Sequence, residues 1–187
     1  MPQQLTTVRT PASAADVLRA IMDAGVSQSA AYMLAAQSAL ETAGWSGMWN
    51  WNLGNITTTG DYVLLPGNGL HFKAYGSLSE GAADFVSYLA SHGVTPYAES
   101  GDLDGYVGRL QAIHYAGDAD YTAYENGMRS WMQKLGAVAP SMFLTSQAVL
   151  ASSLLVGGLA VAWGVSEGIF DGVIRMVERT LLRPMGL

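Results

Sequence analysis

The chain has 187 residues, no cysteine and a formal net charge of −6, a length that suits one ordinary domain plus an appendage. Without thiols there is no disulfide scaffold and no thiolate metal site. His71, His92 and His114 stand singly without paired ligand spacing, so no metal or other cofactor is expected. Six basic against twelve acidic side chains before residue 140 leave no basic face for phosphates, which excludes nucleic acid as a partner.

Residues 1–11 are polar, with Arg9 their single charge and no apolar stretch of the kind that marks a signal peptide. Ser13-Ala14-Ala15-Asp16 reads as an N-cap with an acid at N3, opening a short helix in which Val17, Leu18 and Ile21 face one way before Gly25 stops it. Ser27 caps a second, alanine-rich helix running from Gln28 to Ala43, with Gly44 as its C-cap. Glu41 sits in the last turn of that helix. The negative end of the helix dipole and apolar neighbours such as Leu40, Trp45 and Trp49 both favour its protonated form. Between Ile56 and Phe72, β-branched and aromatic residues are punctuated by Gly60-Asp61 and Pro66-Gly67-Asn68-Gly69, which predicts a small β-hairpin. Helices are predicted at Ser79 to Ser91, Leu103 to His114 and Asp118 to Leu135, with Ser79 and Asp118 as N-caps of the first and last.

From Leu135 through Ser166 the chain carries no charge, and Met142 to Val165 is dominated by Leu, Val, Ala and Gly. At a rise of ~1.5 Å per residue this stretch covers on the order of 36 Å, against a hydrocarbon core of ~30 Å, so a bilayer-spanning helix is expected. Ser153 and Gly157 give a small-xxx-small spacing suited to helix contact and hence to a homo-oligomer. Beyond it, Ile169, Phe170, Val173, Ile174, Val177 and Leu181 alternate at helical spacing with Arg175, Glu178, Arg179 and Arg183, an amphipathic helix with its arginines at the far end. The predicted organisation is therefore a domain over 1–137, a linker and membrane helix over 138–165, and an amphipathic helix over 166–187.

Several ordered motifs carry a resemblance. Ala39-Leu40-Glu41-Thr42-Ala43-Gly44-Trp45 leads into Asn52-Leu53-Gly54-Asn55-Ile56; Phe72-Lys73-Ala74-Tyr75-Gly76-Ser77 follows, and then Tyr115-Ala116-Gly117-Asp118-Ala119-Asp120-Tyr121. Over about three quarters of the chain this pattern resembles the lysozyme-like peptidoglycan hydrolases, in particular the flagellar and autolysin type β-N-acetylglucosaminidases and their phage relatives. One alanine is inserted after Thr42 relative to the family's Glu-Thr-Gly-Trp. The resemblance implies a mainly α, lysozyme-like α+β fold with a small β-hairpin lobe, and a cleft that holds a glycan strand.

It also implies a site. Glu41 would be the general acid of glycoside cleavage, a reaction that needs a proton at the leaving oxygen and a second group to stabilise the oxocarbenium-like transition state. Asp61 is the one acid between Ile56 and Phe72, and its Gly-Asp setting fits a turn former at least as well as a second catalytic acid. Without that acid, substrate assistance or a lytic transglycosylase route takes its place. Tyr115 matches the family tyrosine that faces the acid and holds the N-acetyl sugar. Gln37, one turn before Glu41, Trp45, Trp51, Asn52, Asn55 and Tyr121 complete the expected substrate-binding set, with core packing or loop capping as the alternative for the tryptophans and asparagines. The arginines beyond the membrane span place the tail on the cytoplasmic side and the enzyme outside, in the periplasm. With no signal peptide, that topology suits a virion component held with other virion proteins in an internal membrane or ejected during infection; a bacterial inner-membrane protein is the alternative. A structural virion or channel protein that only grips peptidoglycan is the rival reading.

Overall fold

The computed structural model describes residues 1–65, 69–117 and 119–136. The predicted membrane span and amphipathic tail, and Asp118 as a cap, lie outside the described residues. Within them, no helix is long and apolar enough to cross a membrane.

Among the described residues the architecture is mainly helical with one two-stranded sheet. Helix α1 (Ala14–Asp23) starts where the Ser13 side chain accepts from the Asp16 amide, and it buries Val17, Leu18, Ala20 and Ile21. Helix α2 (Gln28–Glu41) starts at Ser27, whose side chain accepts from the Ala30 amide. It has no polar face: Ala30, Ala31, Met33, Leu34, Ala35, Ala36, Gln37, Ser38 and Ala39 are all buried. A helix buried around its circumference belongs at the centre, and its alanines let neighbours approach closely. Helix α1 packs on it from one side and α4 (Thr95–Ser100) from another.

Strands β1 (Val63–Leu64) and β2 (His71–Phe72) pair antiparallel, Val63 opposite Phe72 and Leu64 opposite His71, which is the expected hairpin. The segment before α1 adds to this lobe, contrary to its reading as a polar lead-in. Leu5 N donates to the Tyr62 carbonyl, Tyr62 N to that of Gln3, Asn50 N to that of Val8, and Thr10 N to that of Met48. Residues 3–10 thus form an arm that ties the hairpin to the loop following α2.

Helix α3 (Leu78–Ser91) is capped by Ser77 rather than Ser79: the Ser77 side chain accepts from the Glu80 amide, and the Glu80 carboxylate accepts from Gly76 N at 2.8 Å. Helix α5 (Leu103–Ala112) is capped by Asp102 and ends two residues before the expected His114. Helix α4, which the sequence reading passed over, has a proline in its first turn and ends on Gly101 in the left-handed conformation. The last helix among the described residues, α6, covers 121–136. Asp120 Oδ1 accepts from the Thr122 and Ala123 amides at its start. Tyr124, Met128 and Leu135 are its buried stripe.

Candidate active site

Helix α2 ends at Glu41, two residues earlier than predicted, with Thr42 at the C-cap. Thr42 sends both its amide and its hydroxyl to the Ser38 carbonyl, closing the last turn. Beyond it the backbone turns sharply. Of the six non-glycine residues with positive φ among the described residues, Ala43, Trp45, Asn50, Trp51 and Asn55 lie in the segment that folds over the helix end. Such conformations cost of order 1 kcal/mol or more each and persist only where the surroundings hold them. Gly44 does not cap the helix directly. Its φ of 65° and the 2.7 Å that would separate an added Cβ from the Trp131 ring explain why a glycine stands there.

The strained segment returns Asn55 to the helix end. Asn55 Nδ2 donates to the Glu41 carbonyl at 2.8 Å, satisfying one of the orphan acceptors of the terminus, and lies 3.5 Å from Glu41 Oε2. From α6, the Tyr124 hydroxyl donates to Glu41 Oε1 at 2.7 Å. Glu41 is half-buried, and burial raises its pKa against the opposing effect of these two hydrogen bonds. The shift needs only burial and neutral donors; no second carboxylate among the described residues contributes to it.

Three phenols surround the acid. Tyr106 is fully buried and donates to Gln37 Oε1. Tyr115 donates to the Gly54 carbonyl at 2.6 Å. Burial first, and the Glu41 charge second, push Tyr106, Tyr115 and Tyr124 well above the ordinary phenol range, so all three remain neutral donors. Gln37 is buried, and its Nε2 lies beside Tyr115 without forming a well-made hydrogen bond.

The structure therefore brings Glu41, Asn55, Tyr115 and Gln37 into one neighbourhood, with Tyr115 directed at the loop backbone and not at the acid. Other expected site residues are placed elsewhere. Trp45 is 3% exposed, with Nε1 on Ser38 Oγ at 3.0 Å and its ring tilted against Trp131, so it has no free face for a sugar. Asn52 is a loop clasp: Nδ2 donates to the Ile56 and Lys73 carbonyls, and Oδ1 accepts from Ile56 N. Tyr121 accepts from Ala116 N and reaches the Leu110 carbonyl, stapling the turn before α6. Trp51 lines a groove of about 350 Å³ with Asp16, Arg19 and Asp23, a lining that does not include Glu41. Asp61 is exposed in its turn, with Oδ1 accepting from Gln3 N at 2.8 Å. That bond accounts for Asp61 as an anchor of the arm.

Sequence reasoning missed Tyr106 and Tyr124. Tyr124 stands three residues after Tyr121, a spacing that puts both rings on one side of a helix, and the rings do meet at 5.9 Å. Among the described residues no group of three or more His, Asp or Glu side chains is placed to hold a metal ion.

Fold and site together define a helical domain with a minor β lobe and a half-buried acid at the end of its central helix, enclosed by neutral hydrogen-bond donors. No family model and no curated protein matches the chain. Among solved structures, the chain is similar to the glycoside hydrolase domain of FlgJ from Salmonella typhimurium, with 21% identity and a TM-score of 0.48 over 74% of this chain and 93% of that one.

Proposed function

We propose that the domain cleaves the β-1,4 glycan backbone of peptidoglycan, with Glu41 as general acid. The observation that supports this best is the environment of Glu41. Burial raises its pKa, which favours the protonated form that a general acid needs, while Tyr124 holds the carboxyl and Asn55 holds the backbone carbonyl of the same residue. Proton transfer to the leaving glycosidic oxygen would then accompany rupture of the bond to the anomeric carbon. With Asp61 engaged by the arm, the cation is better served by the substrate: its own 2-acetamido group, or the muramic 6-hydroxyl attacking in place of water as in a lytic transglycosylase.

We further propose that Met142 to Val165 anchors this enzyme in a bilayer, as a virion component delivered to the periplasm, on the strength of the uncharged run and the arginine-bearing segment after it. The test of the catalytic reading uses the full chain and purified peptidoglycan, with sugar ends identified by mass spectrometry. Wild type should release anhydro-muramic or reducing ends, and Glu41→Gln should lose about 10²–10⁴-fold in rate. Near-wild-type cleavage by the glutamine variant overturns the role of Glu41. Sedimentation of wild type with sacculi but no new sugar ends would favour a domain that only grips the wall.

A further inference from the structure

The two oxygens of Glu41 are not equivalent. Oε1 accepts a 2.7 Å bond from the Tyr124 hydroxyl, delivered from α6, 83 residues along the chain. Among the described residues Oε2 has only the 3.5 Å contact with Asn55 Nδ2, and the short bond of that amide goes to the backbone carbonyl instead. A protonated carboxyl has one O–H donor and keeps acceptor capacity on its other oxygen. The oxygen already engaged by a donor is the one that stays the acceptor.

We propose that Tyr124 is a positioning residue of the glycan-cleaving reaction: it pins Oε1 as an acceptor, fixes the plane of the carboxyl, and leaves Oε2 to carry the transferable proton. The inference rests on Glu41 being the general acid. In the step itself, the Oε2 proton passes to the glycosidic oxygen, the electron pair of the breaking C–O bond goes to that same oxygen, and Glu41 is left as a carboxylate. The Tyr124 bond then becomes charge-assisted and strengthens as the charge develops. An interaction stronger in the transition state than in the ground state raises kcat and leaves KM nearly unchanged.

The titratable groups facing Glu41 are Tyr106 from α5, Tyr115 from the turn after it and Tyr124 from α6, all held neutral by burial and by the Glu41 charge. The hydroxyl of Tyr124 opposes the upward effect of burial on the acid. Removing it favours the protonated form.

Kinetics and NMR on the full chain test this. Tyr124→Phe should lower kcat on the order of 10- to 100-fold, the size of a hydrogen bond to a charged group, with KM within about twofold. It should also move the alkaline limb of the pH profile to higher pH. Tyr121→Phe, which loses a hydroxyl bonded only to backbone, should leave the limb in place. Independently of activity, carbon-13 NMR of glutamate-labelled protein, with Glu41 assigned by its loss in Glu41→Gln, should show the Glu41 midpoint rising in Tyr124→Phe. If the phenylalanine variant fails to fold, difluorotyrosine at position 124 keeps the ring and strengthens donation, and should move the midpoint down. An unmoved midpoint overturns the role of Tyr124 even where Glu41→Gln is inactive. A moved midpoint with an active Glu41→Gln overturns instead the general-acid reading on which the role depends.

Discussion

Ionised Glu41 is a burden on the folded chain, because burial raises its pKa above the unfolded value. Between the unfolded and folded pKa values the folded state holds more protons, so stability falls as pH rises through that window. The contribution of Glu41 is fully present below its unfolded pKa and lost above its folded one. Glu41→Gln should therefore melt higher than wild type at pH 7, and the gap should shrink toward pH 4; an equal gap at both pH values would contradict this. Asp61→Asn keeps an oxygen for Gln3 N, and the cleavage rate should stay within about twofold of wild type. A loss on the order of 10² with unchanged melting would put Asp61 in the reaction. Glu41 was legible in the sequence because its setting is local, a carboxylate in the last turn of an alanine-rich helix. Tyr124 was not, because nothing near it in the chain announces a partner 83 residues away. For Trp45 the sequence leaves sugar platform and core residue open, because an indole suits a cleft and a core equally well; its burial and its packing against Trp131 favour the core.

Helices whose starts depend on neighbouring residues were readable in advance. Ser13 with Asp16, and Ser27, cap α1 and α2 as their spacing predicts. The cap of α3 was misplaced by two residues because Ser77 and Ser79 are equally good candidates until the Glu80 bond to Gly76 favours the first. Helix α4 is too short to show a period, and its Thr95-Pro96 start reads as a loop. At this scale glycines give paired tests. An alanine Cβ at Gly81 in α3 would stand 2.0 Å from the Trp51 carbonyl oxygen. Gly81→Ala should cost about 1–3 kcal/mol or more, as overpacking does, and should disturb the loop that carries Asn55. Gly108 in α5 has open space around an added Cβ, and Gly108→Ala should stabilise by roughly 0.4–1 kcal/mol. Urea denaturation of both variants checks the pair, and similar effects at the two positions would contradict the packing of α3 against the loop.

For the whole molecule, composition separates an acidic domain from an uncharged run, with every residue of the net −6 lying before residue 140. If the run is an anchor, the full chain should float with phospholipid vesicles on a density gradient and require detergent to stay dispersed. Recovery as a monomer in plain buffer, without flotation, would remove the anchoring proposal while leaving the chemistry of Glu41 untouched.

The arm over residues 3–10 has a kinetic consequence. Its side-chain partners lie between 37 and 58 positions further along, at Ser46, Asn50, Asp61 and Leu64, so each bond closes a long loop before it returns any energy. Contacts of such high order form late in folding, and solvent-exposed ones open at low cost in the native state. Amide hydrogens at Leu5, Val8 and Tyr62 should accordingly exchange well before those of α2. An opening of this arm would release Asn50, and one that extends to the buried Thr10 would release its hold on Trp51, five residues and four residues from Asn55. The acid end of the central helix is joined to a buried core on one side and, on the other, to an arm whose docking, if the exchange order holds, sets the lifetime of the loop above it.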